Sequence, residues 1–276
     1  MARQRLGQHF LAEAGWREEI ARAIRVSPQS IAPPPAGNSA EFCWIEIGAG
    51  HGEMTEQLAS TGARVHAIEL DAHLAATLKK LARRFPNVEI VSADILTSDI
   101  AKIATGKRVR IYGNLPYYIT SPILHHLFAS AEVIDEIHIV VQHEVALRLA
   151  AQPGTRDYGY LSVLTQYFSR PEFVLEIPRG AFRPPPEVSS ALVTLRLPGE
   201  RAKLPQTDEA SFLKFVKSCF SQKRKTLVNN LKSRVKPELV REALASLKLR
   251  VDARAEQLSV ANLVALSQQL GSRTRG

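Results

Sequence analysis

Apolar runs of strand length alternate with amphipathic helical patterns over residues 42–141, and this alternation constrains the fold more than any other feature of the chain. Helices between successive strands imply right-handed crossovers and a mostly parallel, doubly wound sheet. Two later apolar runs are expected to close this sheet as an antiparallel edge. The predicted strands are 42–47, 64–70, 88–92, 109–112, 137–141, 173–177 and 190–197, and the predicted helices are 16–26, 53–60, 72–84 and 121–130.

The pattern changes after a polar, proline-bearing stretch at 198–207. From there on it is helical, at 211–221, 224–232, 237–247 and 260–270. We therefore predict an α/β domain at 1–198, with a Rossmann-like doubly wound sheet, and a small all-helical domain at 199–276. Three consecutive prolines mark a further loop at 32–39.

Basic charge is concentrated in the C-terminal quarter of the chain. Residues 199–276 hold 16 Lys and Arg against 7 Asp and Glu, which accounts for the whole net charge of +9. Residues 1–198 are therefore neutral overall. This imbalance favours a polyanionic partner such as RNA, although a solvated helical surface is the commoner explanation of charge runs in general.

The composition also bears on location and cofactors. No apolar run is long enough to span a membrane, and no signal-peptide pattern precedes Gly7. Cys43 and Cys219 lie far apart and match no metal-binding spacing, which favours reduced thiols and a cytoplasmic protein. We expect a monomer that uses no metal and contacts no membrane.

A glycine-rich turn follows the first strand of the sheet, with glycines at 48, 50 and 52. Glycines let the backbone approach a ligand closely, and ligands of open α/β sheets bind at the carboxyl ends of the strands. The dinucleotide fingerprint requires a further glycine at 53, where this chain has Glu53, and a carboxylate there opposes a pyrophosphate. A ligand without phosphates, such as S-adenosylmethionine, is a better fit.

Acidic residues mark the ends of the next two strands. Glu69 stands 21 residues after Gly48 and could accept hydrogen bonds from both hydroxyls of a ribose. Asp94 follows the third strand and could accept a hydrogen bond from an adenine amino group. A single acid of this kind is more often a helix N-cap, a role open to Asp71 and Asp94 alike. Their occurrence at successive strand ends favours a nucleoside-binding site.

The tetrapeptide Asn114-Leu115-Pro116-Tyr117 stands just after the predicted strand at 109–112. The Asn114 amide oxygen and the Leu115 carbonyl can accept the two N–H bonds of an exocyclic amine, while the Tyr117 ring stacks on the base. Core packing is the commoner role of an aromatic residue, but Pro116 stiffens the loop that presents this ring. The combination indicates chemistry on adenine N6.

From Gly7 to about Leu270 the chain resembles the KsgA family of ribosomal RNA small-subunit adenine dimethyltransferases. The order and spacing of the matching motifs make chance a poor explanation. They are Gly7-Gln8-His9-Phe10-Leu11, Glu46 to Gly52, Ile68-Glu69-Leu70-Asp71, Ala93-Asp94-Ile95, Gly113 to Tyr118, Gln142-His143-Glu144-Val145 with Arg148-Leu149, Tyr158-Gly159-Tyr160-Leu161-Ser162, Phe182 to Ser190 and Ser221 to Thr226.

The resemblance implies a methyltransferase sheet, S-adenosylmethionine as methyl donor and dimethylation of N6 on two adjacent adenines. These adenines belong to the 3′-terminal hairpin of small-subunit (16S) ribosomal RNA, and the implied partner is an immature 30S subunit during ribosome biogenesis. The family often has asparagine at the position of His9, and an isolated histidine is as often a plain surface residue. By position, donor contacts are implied for His9, Leu11, Glu46, Gly48, Gly50, Glu69, Asp94 and Asn114.

The expected acceptor site consists of Asn114, Leu115, Pro116 and Tyr117, with Phe182 closing the second face of a flipped-out adenine. Basic side chains of the C-terminal domain are expected to contact RNA phosphates, which gives position and salt sensitivity rather than sequence choice. These residues are Lys223, Arg224, Lys225, Lys232, Arg234 and Lys236.

Three other functions remain open from the sequence. An Erm-like methyltransferase of large-subunit ribosomal RNA shares the fold and the tetrapeptide, but the long Phe182 to Pro186 run and the segment 221–225 favour the small-subunit enzyme. A non-catalytic ribosome assembly factor is disfavoured by the intact tetrapeptide and by Glu69. A nicotinamide dehydrogenase is disfavoured by Glu53.

Overall fold

The computed structural model describes residues 9–25 and 42–273. Gly7, Gln8 and the predicted loop at 32–39 lie outside the described residues. The described residues divide into two compact units, one within Met1–Ala146 and Glu172–Leu197 and the other within Leu147–Pro171 and Pro198–Gly276.

The first unit contains the predicted sheet with helices on its faces. Its strands are β1 (Phe10–Leu11), β2 (Phe42–Ile47), β3 (Arg64–Glu69), β4 (Val88–Ser92), β5 (Arg108–Asn114), β6 (Ile134–Gln142), β7 (Arg170–Ile177), β8 (Phe182–Arg183) and β9 (Ser190–Arg196). Its helices are α1 (Ala14–Arg25), α2 (Glu53–Ala59), α3 (Ala72–Arg84), α4 (Ile100–Ala104), α5 (Thr120–Phe128) and the start of α6 (His143–Ala150).

Seven of these strands form one sheet in the order β4-β3-β2-β5-β6-β9-β7. The pairs from β4 to β6 are parallel, and β6 pairs with β9 in antiparallel orientation, as the sequence predicted. Strands β3 and β4 follow in order on one side of β2, and the next strand, β5, pairs with the other side of β2. This reversal makes the carboxyl ends of β2 and β5 the expected ligand site.

The strand β5 is longer than the predicted 109–112 and includes the first residue of the tetrapeptide. It is paired along both edges, so Gly113 lies opposite Ile47 of β2 and Asn114 lies opposite Val140 of β6. Backbone pairing on two sides extends a strand beyond its apolar run. Asn114 is therefore held by the sheet and not by a loop.

The strands β1 and β8 were not predicted, since each has only two residues and shows no measurable alternation. They form a separate antiparallel pair in which Phe10 lies opposite Arg183 and Leu11 lies opposite Phe182. This pair ties the segment just before α1 to the proline-rich segment more than 170 residues later in the sequence.

The second unit is built from helices, with α7 (Tyr160–Phe168), α8 (Glu209–Cys219), α9 (Leu227–Leu231), α10 (Pro237–Ser246) and α11 (Val260–Arg273). Its core contains Phe212, Leu231, Leu244 and Leu263, none of which has measurable exposed surface. No helix in the described part of the chain is both long and apolar enough to cross a membrane.

The sequence predicted that residues 1–198 form one domain. In the structure the segment 147–171 belongs to the second unit, so the first unit is interrupted there. The helix α7 explains the error. Its residues from Ser162 to Phe168 are all buried, so it lacks the one-sided apolar pattern by which helices are recognised in a sequence. The ring of Tyr167 packs 4.8 Å from the ring of Phe212 in α8, which joins this segment to the C-terminal helices.

Gly113→Ala tests the close approach of β2 and β5. A Cβ at position 113 would lie 2.8 Å from Leu115 Cδ2 and 3.1 Å from Ile47 Cβ, so the added methyl overpacks the sheet. We expect the free energy of unfolding to fall by about 1–3 kcal/mol, measured by denaturant titration.

The matched control is Gly180→Ala, where an added Cβ meets nothing within 4 Å. We expect this variant to change the free energy of unfolding by less than about 0.5 kcal/mol. Equal losses in the two variants would show that the packing around Gly113 is not tight.

Candidate active site

The main cavity of the first unit opens at the carboxyl ends of β2, β3, β4 and β5. It brings together most of the site residues that the sequence predicted, including the whole tetrapeptide. Its lining residues are His9, Phe10, Ile47, Gly48, Gly50, Ile68, Glu69, Leu70, Ala93, Asp94, Ile95, Asn114, Leu115, Pro116, Tyr117, Tyr118, Ile119 and Ile123.

Glu69 stands at the end of β3 and is 4% exposed, yet its carboxylate has backbone partners. The Gly50 N–H donates to Oε2 at 2.8 Å, and the Asp71 N–H donates to Oε1 at 2.9 Å. These bonds fix the carboxylate at the cavity wall and connect the glycine turn to the end of the next strand. Each oxygen keeps a second lone pair, so the group can still accept hydroxyl donors from a ligand.

The glycine turn after β2 adopts backbone angles that other residues avoid. Gly48 has φ 70° and Gly50 has φ 59°, both in the left-handed region. A Cβ on Gly50 would also stand 3.1 Å from Cε1 of Phe10. The absence of these side chains leaves backbone exposed to the cavity, as the sequence predicted.

Asp94 follows β4, in a position that is compatible with both roles that the sequence left open. Its Oδ1 accepts a hydrogen bond of 2.9 Å from the Leu96 N–H and so caps a short 3₁₀ helix, Ile95–Thr97. The residue also lines the main cavity, next to the apolar side chain of Ile95. A capped carboxylate is held in place, which suits it to accept a hydrogen bond from a ligand amine.

Asn114 is oriented by a residue from the N-terminal segment. Its Nδ2 donates to the carbonyl oxygen of His9 at 2.8 Å. Because a carbonyl can only accept, this bond assigns the two ends of the amide. The Oδ1 atom is then available to accept a hydrogen bond from a ligand in the cavity.

Leu115 and Tyr117 of the tetrapeptide are anchored to the strands β6 and β9. The Leu115 N–H donates to the Val140 carbonyl at 3.0 Å, and the Leu115 side chain is buried. The Tyr117 hydroxyl lies 3.1 Å from Ser190 Oγ of β9. Burial raises the pKa of Tyr117, so its hydroxyl stays protonated and its ring acts as a neutral aromatic surface.

The expectation that Phe182 closes the second face of a bound base is wrong in this structure. Phe182 has no exposed surface and packs in the core with Ile20, Tyr112 and Leu192. The β1–β8 pair supplies the physical reason, since residues directly opposite in antiparallel strands share a face. Leu11 and Phe182 share the core face, which turns both away from the main cavity.

Leu11 and Glu46 line a smaller side recess that adjoins the main cavity and shares Gly48, Gly50 and Asn114 with it. The remaining residues of this side recess are Phe10, Arg17, Ala49, Glu53, Met54 and Tyr112. The structure thus divides the predicted donor-binding residues between two adjoining spaces. In the part of the chain that the structure describes, no group of three or more His, Cys, Asp and Glu could hold a metal ion.

Burial raises the pKa of the Glu46 carboxyl to about 8. The hydrogen bond that Thr55 Oγ1 donates to Oε2 at 2.5 Å opposes this shift, while the nearby Glu53 and Glu69 add to it. At neutral pH the proton therefore stays on Glu46 in the absence of a ligand.

Three residues that shape the main cavity were not predicted from the sequence. Phe10 covers the glycine turn, and its ring lies 4.8 Å from the ring of His51. Leu70 and Tyr118 are 69% and 72% exposed, although both are large and apolar. Large apolar side chains exposed beside a cavity commonly contact a ligand. All three lie within the motifs that the chain shares with the family it resembles, and Leu70 and Tyr118 directly follow Glu69 and Tyr117.

All six predicted RNA-contacting residues are exposed on the second unit. Lys223, Arg224 and Lys225 lie in the connection between α8 and α9, where the Lys223 Nζ donates to the Arg156 carbonyl. The others follow α9, and they are Lys232, Arg234 and Lys236. Within the described residues, no carboxylate lies within ion-pair distance of these six side chains.

Glu46→Gln tests whether the buried Glu46 carboxyl keeps its proton at neutral pH. A folded-state pKa near 8, above the usual 4.5, means that the folded protein binds the proton more tightly than the unfolded chain does. The free energy of unfolding of the unchanged protein should therefore fall, relative to that of Glu46→Gln, as pH rises from about 5 to about 8. Denaturant titrations at several pH values measure this difference.

Glu18→Gln is the matched control, because Glu18 is exposed on α1. Its pH profile of stability should run parallel to that of the unchanged protein. If the Glu46→Gln profile does the same, Glu46 is ionised in the folded protein at neutral pH.

Comparison with solved structures agrees with the predicted fold class. A dimethyladenosine transferase from Plasmodium falciparum superposes with a TM-score of 0.79 at 23% identity, over 96% of this chain and 98% of that chain. The 23S rRNA methyltransferase ErmE superposes with a TM-score of 0.66 at 26% identity, over 95% of this chain and 99% of that chain. The α/β, Rossmann-like prediction is confirmed.

The sequence matches the family described as ribosomal RNA adenine dimethylase over residues 1–271. It is 39% identical to ribosomal RNA small subunit methyltransferase A of Acidobacterium capsulatum, over 98% of this chain and 92% of the relative. It is 38% identical to the protein of the same name from Koribacter versatilis, over 96% of this chain and 93% of the relative. The chain is a methyltransferase and belongs to the ribosomal RNA adenine dimethylase family.

Proposed function

We propose that this protein transfers methyl groups from S-adenosylmethionine to N6 of two adjacent adenines in the 3′-terminal hairpin of small-subunit (16S) ribosomal RNA. The observation that supports it most is the fixed amide of Asn114, which leaves Oδ1 as an acceptor in a cavity that also contains Glu69. Small-subunit RNA as the substrate rests on the names of the relatives at 38–39% identity.

The main cavity suits the nucleoside half of S-adenosylmethionine. The Glu69 carboxylate, held by two backbone N–H groups, would accept the ribose hydroxyls. Asp94 would accept the adenine amine, and Leu70 and Ile95 would pack against the adenine ring. Gly48 and the side recess beyond it leave space for the amino-acid half of the donor.

Adenine N6 is a weak nucleophile because its lone pair is delocalised into the ring. Hydrogen bonds from N6 to Asn114 Oδ1 and to the Leu115 carbonyl favour a more tetrahedral nitrogen whose lone pair points at the sulfonium methyl. The new N–C bond forms as the S–C bond breaks, S-adenosylhomocysteine leaves, and the proton of the methylated amine passes to water. The protein contributes positioning and electrostatic complementarity to the transition state.

A second transfer to the same nitrogen requires room for the first methyl. Once N6 carries a methyl group, only one N–H remains, so one of the two acceptors loses its hydrogen bond. Asn114 is neutral, and an unpaired neutral amide costs less free energy than an unpaired buried carboxylate. A neutral amide therefore suits successive transfers better than an aspartate at this position.

The second unit would hold the RNA by its phosphates. The six exposed basic side chains predicted to contact RNA lie in two neighbouring segments, around α9, and residues 199–276 hold the whole net charge of the chain. Such contacts add affinity without reading bases, so the shape of the small-subunit RNA would select the target. We propose that the protein acts in the cytoplasm, as a monomer, on an immature 30S subunit.

An Erm-like activity on large-subunit RNA is the alternative, because ErmE shares the fold at 26% identity. The relatives named as small-subunit enzymes have higher identity over nearly the whole chain, which favours the small-subunit substrate.

Substrate choice is tested by incubating the protein and labelled S-adenosylmethionine with undermethylated 30S and 50S subunits, followed by mapping of the modified bases. We expect two adjacent dimethylated adenines near the 3′ end of the small-subunit RNA and background labelling of the large subunit. Asn114→Ala is the inactive control, which should bind the donor but transfer no methyl because N6 loses an acceptor. Labelling of 50S subunits alone would establish the Erm-like alternative.

Triple replacement of Lys223, Arg224 and Lys225 by Gln tests the RNA-contacting surface. Each phosphate contact releases counterions, so the RNA association constant K falls as salt rises. Loss of three contacts should make the negative slope of log K against log salt shallower by about 2–3 and weaken binding at low salt. Filter binding or fluorescence anisotropy with small-subunit RNA measures both quantities.

The matched control removes the same charge from α3 of the first unit, where Lys79, Lys80 and Arg83 are exposed. Replacement of these three by Gln should leave the salt slope nearly unchanged. Equal slopes for the two triple variants would assign the RNA contacts elsewhere.

A further inference from the structure

The ring of Tyr117 has an aromatic partner that comes from the start of the described chain. The imidazole of His9 stacks over it with the ring centroids 5.6 Å apart and an interplanar angle of 26°. Both residues line the main cavity. The surface on which a target base would stack is therefore faced by a second ring, and that ring is not Phe182, which is fully buried.

His9 is held in this position by two hydrogen bonds of different kinds. Its Nδ1 lies 2.8 Å from the Pro184 carbonyl, so this nitrogen carries a proton and donates. Its own carbonyl accepts the 2.8 Å bond from Asn114 Nδ2. The backbone of His9 thus orients the amide that would bind N6, while its ring faces the aromatic residue that would stack on the same base.

We propose that His9 and Tyr117 form an aromatic clamp that takes the target adenine between their rings. This inference rests on the proposed function and specifies how its acceptor site holds the base. Histidine is among the side chains that stack on unpaired bases in RNA recognition, and it does so through the same flat face as other aromatics.

The two rings have to separate before a base can enter between them. A base between two rings needs about 7 Å between their centroids, twice the roughly 3.4 Å rise of stacked bases along a strand. The observed separation is 5.6 Å, so the rings have to move apart to admit an adenine. His9 is partly exposed, whereas Phe182 is buried and would have to leave the core to reach the cavity.

The ring of His9, and not its hydrogen-bonding groups, makes the clamp. An asparagine can bond to the Pro184 carbonyl and retains the backbone carbonyl for Asn114, but it has no ring to stack on a base. The ring of His9 therefore adds a contact to the acceptor base that the backbone contacts alone do not supply.

The test compares His9→Ala, His9→Asn and His9→Phe with the unchanged protein. Steady-state methylation of undermethylated 30S subunits gives kcat/KM for the RNA, and calorimetry with S-adenosylmethionine gives the donor Kd. Loss of the ring in His9→Ala and His9→Asn should lower kcat/KM for the subunit by about tenfold, the order of one base–aromatic stack. His9→Phe should recover most of that loss, and the donor Kd should stay within about twofold throughout.

His73→Ala is the matched control, because His73 is exposed on α3 and lies outside the main cavity. Activity unchanged in His9→Ala, or equally low in His9→Phe and His9→Ala, would overturn the clamp. A donor Kd that rises in step with the loss of activity would also overturn it, by assigning the ring to the donor. If the unchanged protein does not methylate 30S subunits at all, the proposed function itself fails.

If His9→Ala unfolds, His9→Asn and His9→Phe decide the question, because both preserve side-chain volume better. Thermal unfolding of all variants identifies any loss of folded protein. The difference in kcat/KM between these two variants then measures the contribution of the ring alone, with a difference of less than about twofold counting against the clamp.

Discussion

The parallel pairing of β2 with β5 is the interaction on which the candidate site depends. It places Gly113 opposite Ile47, at a separation that leaves no room for a Cβ at position 113. The glycine turn that follows β2 and the tetrapeptide that begins at the end of β5 therefore open into the same cavity. Donor and acceptor residues that are far apart in the sequence meet because the sheet reverses its strand order at this pair.

Two acids at this edge of the sheet make structural hydrogen bonds and also line the cavity. Glu69 accepts two backbone N–H groups and still presents its carboxylate to the cavity, and Asp94 caps a short helix at the same wall. Such bonds hold side chains in place before a ligand arrives, so less conformational freedom is lost on binding. For Asp94, capping a helix therefore does not exclude contact with a ligand.

The two compact units differ in electrostatic character, and this difference suits a reaction on RNA. The sheet-containing unit carries a cavity whose acids Glu69 and Asp94 accept backbone hydrogen bonds, and in the adjoining side recess Glu46 retains a proton. The exposed basic side chains that the sequence singled out belong to the helical unit. The residues proposed to attract phosphate and those proposed to bind the target base therefore belong to different units.

The sequence by itself determined the parts of this protein that local patterns encode. Alternating strands and helices predicted the α/β sheet, glycines and acids marked the strand ends, and Asn114 to Tyr117 indicated the acceptor chemistry. Only the tertiary structure decided which way individual side chains face. The β1–β8 pairing sends Leu11 and Phe182 into the core and brings His9 over Tyr117, across more than 100 residues of sequence. Such long-range pairing leaves no periodicity in the sequence, and a fully buried helix such as α7 leaves none either.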